Sequence, residues 1–488
     1  MEKQEKIPNI IAIIGAIVLL VLAVVGLSYA FFSAFIKNGE TDPSIEGTGA
    51  NLSLVYTDGK SVITSSNIMP GWSATKTFTV TNNGEADTYY KLNISSITNE
   101  FVDGGLTFSI ASADGGTSVA EQAVGTTTRT ISPSITIAEG ATHTYTVTAK
   151  YINLNTDQTP DLGKSFSYTI GIEASQKPTF KDIILANNEV KTPITTPGAA
   201  VSTSSEALLA SAEDDYGTSY YFRGAVTNNY VEFANKCWRI VRIGGDNTVK
   251  LILHNDNISN ASNPCSSANN STTAAFVHYD GNIYKSEFNS NYNDNAYVGF
   301  MYGTPGSTTY EATHANTNKS TILTNLETWY NNNLKTYESV IDNNVFCNDK
   351  SLSSGSGYSA NATDYAARER LYTSKIPSLK CNGELSKITS KIGLITADEL
   401  AFAGYAVRGY ITTSYLKENA TGYSWWSLSP AGFYNKSLSY VFRVRSDNDA
   451  IDICNVNVDS SVRPVISLVS SITISGVSGT SEDPYVVK

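Results

Sequence analysis

The chain has 488 residues, enough for two or three domains, and a net charge of −11 with only 16% charged residues. A nucleic-acid partner requires a basic face, and 34 Lys and Arg against 45 Asp and Glu do not supply one. Abundant Thr, Asn, Ser and Tyr with few strong helix formers predict a mostly β, multidomain protein.

Residues Ile10–Phe35 form one unbroken apolar run, and no charge lies between Pro8 and Ile36. As a helix the run is roughly 39 Å long, more than the ~30 Å hydrocarbon core of a bilayer. Lys3 and Lys6 precede it, and the positive-inside tendency keeps residues 1–6 cytoplasmic. Residues 7–36 are therefore expected to form a single-pass transmembrane helix of the cell membrane, with the bulk of the chain extracellular. Small residues at Ser28 and Ala30 also suit a signal-peptidase site, so a long cleaved signal on a secreted protein is the alternative.

Residues 46–176 alternate apolar and polar side chains at period two. Phe78 and Val80 alternate with threonines, Asn82-Asn83-Gly84 makes a turn, and Tyr90, Leu92 and Ile94 resume the alternation. Tyr145, Val147 and Ala149, then Phe166, Tyr168, Ile170 and Ile172, repeat it. Strands with one buried face, separated by Gly/Asn turns, predict an antiparallel sandwich. The strings M-P-G-W-S-A-T-K-T-F-T-V-T-N-N-G (Met69–Gly84) and Y-I-N-L-N-T-D-Q-T-P-D-L-G-K-S-F-S-Y-T-I (Tyr151–Ile170), with Y-A-F-F-S-A at the end of the apolar run, resemble the TasA/camelysin family of Gram-positive surface and biofilm-matrix proteins. The resemblance implies a jelly-roll-like β-sandwich, and in some members polymerisation by an inserted N-terminal strand. The longer apolar run and the large second region depart from the family pattern. A metalloprotease activity described for camelysin does not carry over: there is no H-E-x-x-H, and His143, the region's only histidine, is expected to be an ordinary strand residue.

Residues 177–213, with Pro178, Pro193, Pro197 and a Ser/Ala run, read as a semi-extended linker in which Ile183–Leu185 can lay down a short strand. The second extracellular region is expected at 214–470, followed by a tail at 471–488. Trp238, Ile240 and Ile243, then Gly244-Gly245-Asp246-Asn247, then Val249, Leu251 and Leu253 predict a hairpin. Leu323, Leu326, Tyr330 and Leu334, with Trp329 alongside, are spaced as a helix face. Thr396-Ala-Asp-Glu399 is a capping box ahead of a second helix that ends near Gly404. Trp238, Trp425 and Trp426 are expected in the core, and Arg463 as a buried ion-pair partner.

All five cysteines lie in the second region: Cys237, Cys265, Cys347, Cys381 and Cys454. The absence of C-x-x-C excludes zinc-ribbon and thioredoxin readings. Outside the cell disulfides are permitted. Cys347 with Cys381 is the first candidate, because it closes a polar, loop-like insertion, and Cys237 with Cys265 the second. Five is odd, so at least one thiol stays free or pairs between molecules; five buried thiols are the alternative.

The Y-S-W-W-S-L-S-P string at Tyr423–Pro430, the following hairpin and the closing S-V-R-P-V-I at Ser461–Ile466 resemble the C-type-lectin-like and formylglycine-generating-enzyme-like superfamily, in particular its bacterial surface domains of unknown function. The resemblance implies an α+β C-type-lectin-like domain. It carries over no catalytic residue, since no cysteine pair here aligns with the oxidoreductase members. Neither E-P-N, Q-P-D nor W-N-D stands in the domain, and Ser446–Asp449 reads as a hairpin turn, so no metal or cofactor is expected. No G-x-S-x-G or P-loop string exists.

Aromatic, Asn-rich loops supply the candidate ligand contacts: Tyr292, Asn295, Tyr297, Tyr423, Phe433, Tyr434 and Asn448. The expected function is a surface-anchored protein with a sandwich stalk and a lectin-like tip, held in the membrane by Ile10–Phe35 and binding a protein, glycan or wall component. The first alternative is a secreted matrix subunit that self-associates by N-terminal strand donation. The second is an enzyme on the lectin-like fold.

Overall fold

The computed structural model describes residues 54–59, 68–84, 86–175, 177–408, 413–472, 474–475 and 478–487. The apolar run expected to cross the membrane lies outside them; no helix among the described residues is long and apolar enough to span a bilayer. The protein is mostly β, built from several sheets in two compact units whose division falls between Pro178 and Thr179.

The first unit has eight strands: β1 (Leu54–Asp58), β2 (Trp72–Asn82), β3 (Thr88–Asn99), β4 (Leu106–Ser112), β5 (Val119–Ala123), β6 (Arg129–Ile137), β7 (Thr142–Tyr151) and β8 (Phe166–Ser175). They form two antiparallel sheets, ordered β1-β2-β7-β4-β5 and β6-β3-β8. Period-two alternation turns Phe78, Val80, Phe108, Ile110, Tyr145 and Val147 of one sheet and Tyr90, Leu92, Ile94, Ile135, Ile170 and Ile172 of the other into one shared core. The sheets are also joined by hydrogen bonds inside that core. Tyr90 Oη on β3 lies 2.6 Å from Tyr145 Oη and 2.8 Å from His143 Nδ1, both on β7. His143 is buried, and burial holds its ring below the usual histidine range, so it is neutral at physiological pH. Leu54 pairs with Asn82 and Tyr89 with Ser175, and β2 leads straight into β3, so β1 begins and β8 ends at the same pole of the sandwich.

The second unit begins earlier than the expected linker allowed. Residues 180–187 form helix α1 (Phe180–Asn187), capped by a Thr179/Asp182 capping box, rather than a spacer or a strand at Ile183–Leu185. Phe180 and Ile184, one turn apart, are buried in the unit's core. Strand β9 (Ala207–Asp214) then pairs along its whole length with β10 (Gly217–Gly224). The segment between them and α1 is fixed by a fully buried ion pair, Arg223 Nε to Glu206 Oε1 at 2.8 Å, and by Arg223 bonds to the carbonyls of Ala199, Ala401 and Phe402.

Strands β11 (Tyr230–Phe233), β12 (Lys236–Ile243) and β13 (Val249–Asn255) continue the sheet. The β12–β13 hairpin turns at the expected Gly244–Asn247. At Gly245 only glycine fits: a Cβ would sit 2.6 Å from both the Asp214 carboxylate and the Gly217 amide nitrogen. Helix α2 (Thr321–Asn333) buries Leu323, Leu326, Trp329 and Tyr330, with Ser320 as its N-cap. Helix α3 (Ala397–Phe402) starts at the expected Thr396/Glu399 capping box.

A second sheet is built around strand β14 (Trp425–Tyr434), its hairpin partner β15 (Leu438–Val444) and β16 (Ile451–Asn455), with a bulge at Pro430 where a regular central strand would need an N–H. Strand β17 (Val465–Leu468) returns to pair with β13. The expected C-terminal tail instead supplies β18 (Tyr485–Val487), parallel to β11, with Tyr485 fully buried against Phe180. Trp238, Trp425 and Trp426 are all fully buried. Both candidate disulfides form, Cys237–Cys265 and Cys347–Cys381, and the odd thiol, Cys454, is buried in β16.

Tyr90→Phe keeps the ring and removes the hydroxyl that joins the two sheets of the first unit. It is expected to lower that unit's unfolding free energy by about 1–3 kcal/mol, because His143 Nδ1 and Tyr145 Oη lose their shared buried partner. Urea unfolding of wild type and variant measures the difference.

Candidate functional site

The sequence-predicted loop residues do not form one face. Asn295 is fully buried; its amide donates to the carbonyls of Ser359 and Asn361, and its Oδ1 accepts from Tyr365. Tyr297 is buried against Tyr302, and Phe433 is fully buried in β14. These three have no surface to offer a ligand. Tyr292 is exposed and Tyr423 half-buried under Lys285. Tyr434 is half-buried and donates to Asp364 Oδ1 at 2.6 Å; Asn448 sits in the expected Ser446–Asp449 turn and accepts from Ala450 N.

The groups that do converge are charged. Arg242 on β12 and Lys250 on β13 are cross-strand neighbours in register, so their side chains leave the sheet on one face, side by side. Between them lies Glu399, the last residue of the α3 capping box: its Oε1 is 2.9 Å from Arg242 Nε and 2.7 Å from Lys250 Nζ, while Oε2 accepts from the Thr396 amide. Arg242 also reaches Asp214 Oδ2 at 2.8 Å, at the end of β9, which in turn accepts from the Gly245 amide. A second cluster stands beside the first. Arg370 grips Asp398 with two parallel bonds of 2.9 Å and Asp349 with a third of 2.7 Å.

These groups line a cleft whose rim holds Asp215, Tyr216, Asp246, Lys380 and the Cys347–Cys381 disulfide. The Cys381 amide donates to the Asp215 carboxylate, fixing the rim loop to the start of the β9–β10 turn. Six carboxylates face four cations, which leaves the cleft acidic. It encloses about 40 Å³, far below the roughly 300–1,000 Å³ of a small-molecule pocket. The space between the walls is therefore too small to enclose a small molecule.

Burial alone would push the Glu399 carboxyl up, but Lys250 and Arg242 outweigh it and hold the group at about 2. Burial pulls the Lys250 ammonium below its ordinary value, with Glu399 acting the other way. The cleft thus presents fixed charges and hydrogen-bonding groups. Among the described residues no group of three His, Cys, Asp or Glu side chains is placed to hold a metal ion.

Composition did not point to this cleft, yet a signal existed. Arg242 and Lys250 interrupt the otherwise apolar strings C-W-R-I-V-R-I and V-K-L-I-L, and a charge on a buried strand implies a buried counter-charge. No protein-family model matches the chain, and a search of curated proteins finds no match.

Glu399 binds its proton more weakly in the folded than in the unfolded chain. Its stabilising contribution is thus complete above the ordinary carboxylate value of 4.5 and is lost as pH falls from there to about 2. Between those limits the loss is on the order of 3 kcal/mol. Glu399→Gln is expected to destabilise the protein at neutral pH by roughly 3–5 kcal/mol, by leaving Lys250 and Arg242 without their shared anion. It is also expected to flatten the acid limb of a stability–pH curve measured by thermal unfolding.

Proposed function

We propose that this protein is anchored in the cell membrane by Ile10–Phe35 and displays two extracellular units, of which the second binds a polar surface ligand, a glycan or a protein of the cell exterior. The observation that carries this reading is the charged cleft beside the Cys347–Cys381 disulfide, open at a rim where Tyr216 is 54% exposed and Asp215 and Lys380 are also exposed. An exposed tyrosine flanked by opposite charges offers flat contact area and oriented hydrogen bonds.

Three further features support the reading. Two cysteine pairs bonded as disulfides fit an oxidising exterior. In the first unit the orders β2-β7-β4-β5 and β8-β3-β6 match a jelly roll, as the TasA/camelysin resemblance implies, with β1 displaced to pair with β2. In the second unit the terminal strand β18 closes back on the early strand β11, a closure in keeping with a C-type-lectin-like domain.

The test is binding of the full chain to cell-wall fractions and an immobilised glycan panel. Tyr216→Ala combined with Lys380→Ala is expected to weaken binding at least about tenfold, the equivalent of about 1.4 kcal/mol, with an unchanged melting temperature. Saturable binding that the double variant leaves intact would remove the cleft from the reading. The N-terminal residue of the protein from native membranes tests the anchor: an intact start is expected, and a start near Phe31 in the medium would overturn it.

A further inference from the structure

Deep in the second unit two arginines, Arg239 and Arg463, are fully buried. Arg239 on β12 is satisfied. Its Nε donates to Asn229 Oδ1 at 2.7 Å, one terminal nitrogen to Glu418 Oε2 at 2.9 Å and the other to the Val226 carbonyl at 2.7 Å. Glu418 is committed elsewhere too, accepting from Tyr230 Oη and from Asn270 Nδ2.

Arg463 is different. The sequence suggested a buried ion-pair partner, and burial is complete, but no described carboxylate pairs with it. Its Nε donates to the Leu253 carbonyl at 2.8 Å and its Nη1 to the Leu416 carbonyl at 2.6 Å, while Nη2 has no acceptor. Those two carbonyls belong to the residues next to His254 and Tyr415, and the guanidinium lies 5.1 Å from the centre of the Trp425 ring.

Each of these three neighbours also carries a polar atom without a partner: His254 Nδ1, Tyr415 Oη and Trp425 Nε1. Asn419 Nδ2 lies 3.2 Å from His254 Nε2, and also reaches Asn270 Oδ1 at 2.8 Å and the His254 carbonyl at 3.2 Å. The neighbourhood thus has three unmatched N–H and O–H donors, Arg463 Nη2, Tyr415 Oη and Trp425 Nε1, an unpartnered His254 Nδ1 and a guanidinium that no described carboxylate pairs with. An unpaired buried charge is costly. A water molecule would accept from two donors but bring two protons that need acceptors of their own. A monovalent anion accepts from several donors, brings no proton and cancels the charge.

We propose that the second unit holds a buried site for a small monovalent anion of the halide class, centred on Arg463 Nη2 and Tyr415 Oη, with Trp425 Nε1 as a flanking donor and His254 alongside. The site ties together β13, the Tyr415–Asn419 segment, β14 and Arg463, two residues before β17, so its occupancy stabilises the packing of both sheets of the unit.

The experiment measures thermal unfolding of the full chain as chloride replaces gluconate at constant ionic strength, with bromide in parallel. A melting temperature that climbs with the logarithm of halide concentration is expected. In crystals grown in bromide, an anomalous peak is expected within hydrogen-bonding distance of Arg463 Nη2 and Tyr415 Oη. Tyr415→Phe is expected to fold and to need about tenfold more halide for the same rise, the effect of one lost hydrogen bond to an ion. Identical melting in chloride and gluconate would overturn the proposal, as would a buried water only, without bromide, beside Arg463. The bromide measurement on wild type decides the matter even if the variant does not fold.

Discussion

The Glu399 carboxylate, held between Arg242 and Lys250, is the contact on which the second unit's architecture turns. It bonds the first turn of α3 to two adjacent strands, and through Arg242 it reaches Asp214 at the end of β9. Helix α3 has only six residues and would not persist alone. Its position is set by the capping box at one end and by Arg223, which donates to the Ala401 and Phe402 carbonyls, at the other. With the helix so placed, Asp398 meets Arg370, and the rim loop carrying Cys381 follows.

Ion pairs of this kind contribute little by attraction alone, because burying each charge offsets much of the gain. Their value lies in geometry. A carboxylate that must satisfy two cations and an amide has one acceptable position, whereas an apolar side chain of the same size has many. The Arg370 grip on Asp398 and Asp349 is of the same type, since a planar guanidinium bonded through three nitrogens fixes both partners in orientation as well as distance.

The legible parts of the sequence were those in which one face is buried and the other wet. Phe78 and Val80 among threonines, or Leu323, Leu326 and Tyr330 along a helix, carry their own period and were readable without knowledge of any partner. Helix α1 was missed because eight residues between prolines hold barely two turns, and its signals reduced to a Thr179/Asp182 box and one apolar pair. The tail was misjudged for a similar reason: a three-residue strand has too few positions to alternate, and what recruits it is Tyr485 meeting Phe180 some 300 residues earlier. The cleft was out of reach for a different cause. Arg242 and Glu399 stand 157 residues apart, and nothing local announces which carboxylate will meet a buried cation. The tyrosine- and asparagine-rich loops were conspicuous by composition, yet Asn295 and Tyr297 serve the interior.

The position of the first unit's two chain ends bears on how it would respond to force. Leu54 and Ser175 lie at the same pole, so tension transmitted along the chain would enter and leave through neighbouring strand ends and not along the length of the sandwich. Each backbone bond of the β1–β2 and β3–β8 ladders would then be loaded one after another, like a zip, instead of all together in shear. Loaded in that way the sandwich would open strand by strand, lengthening the chain as each ladder is released.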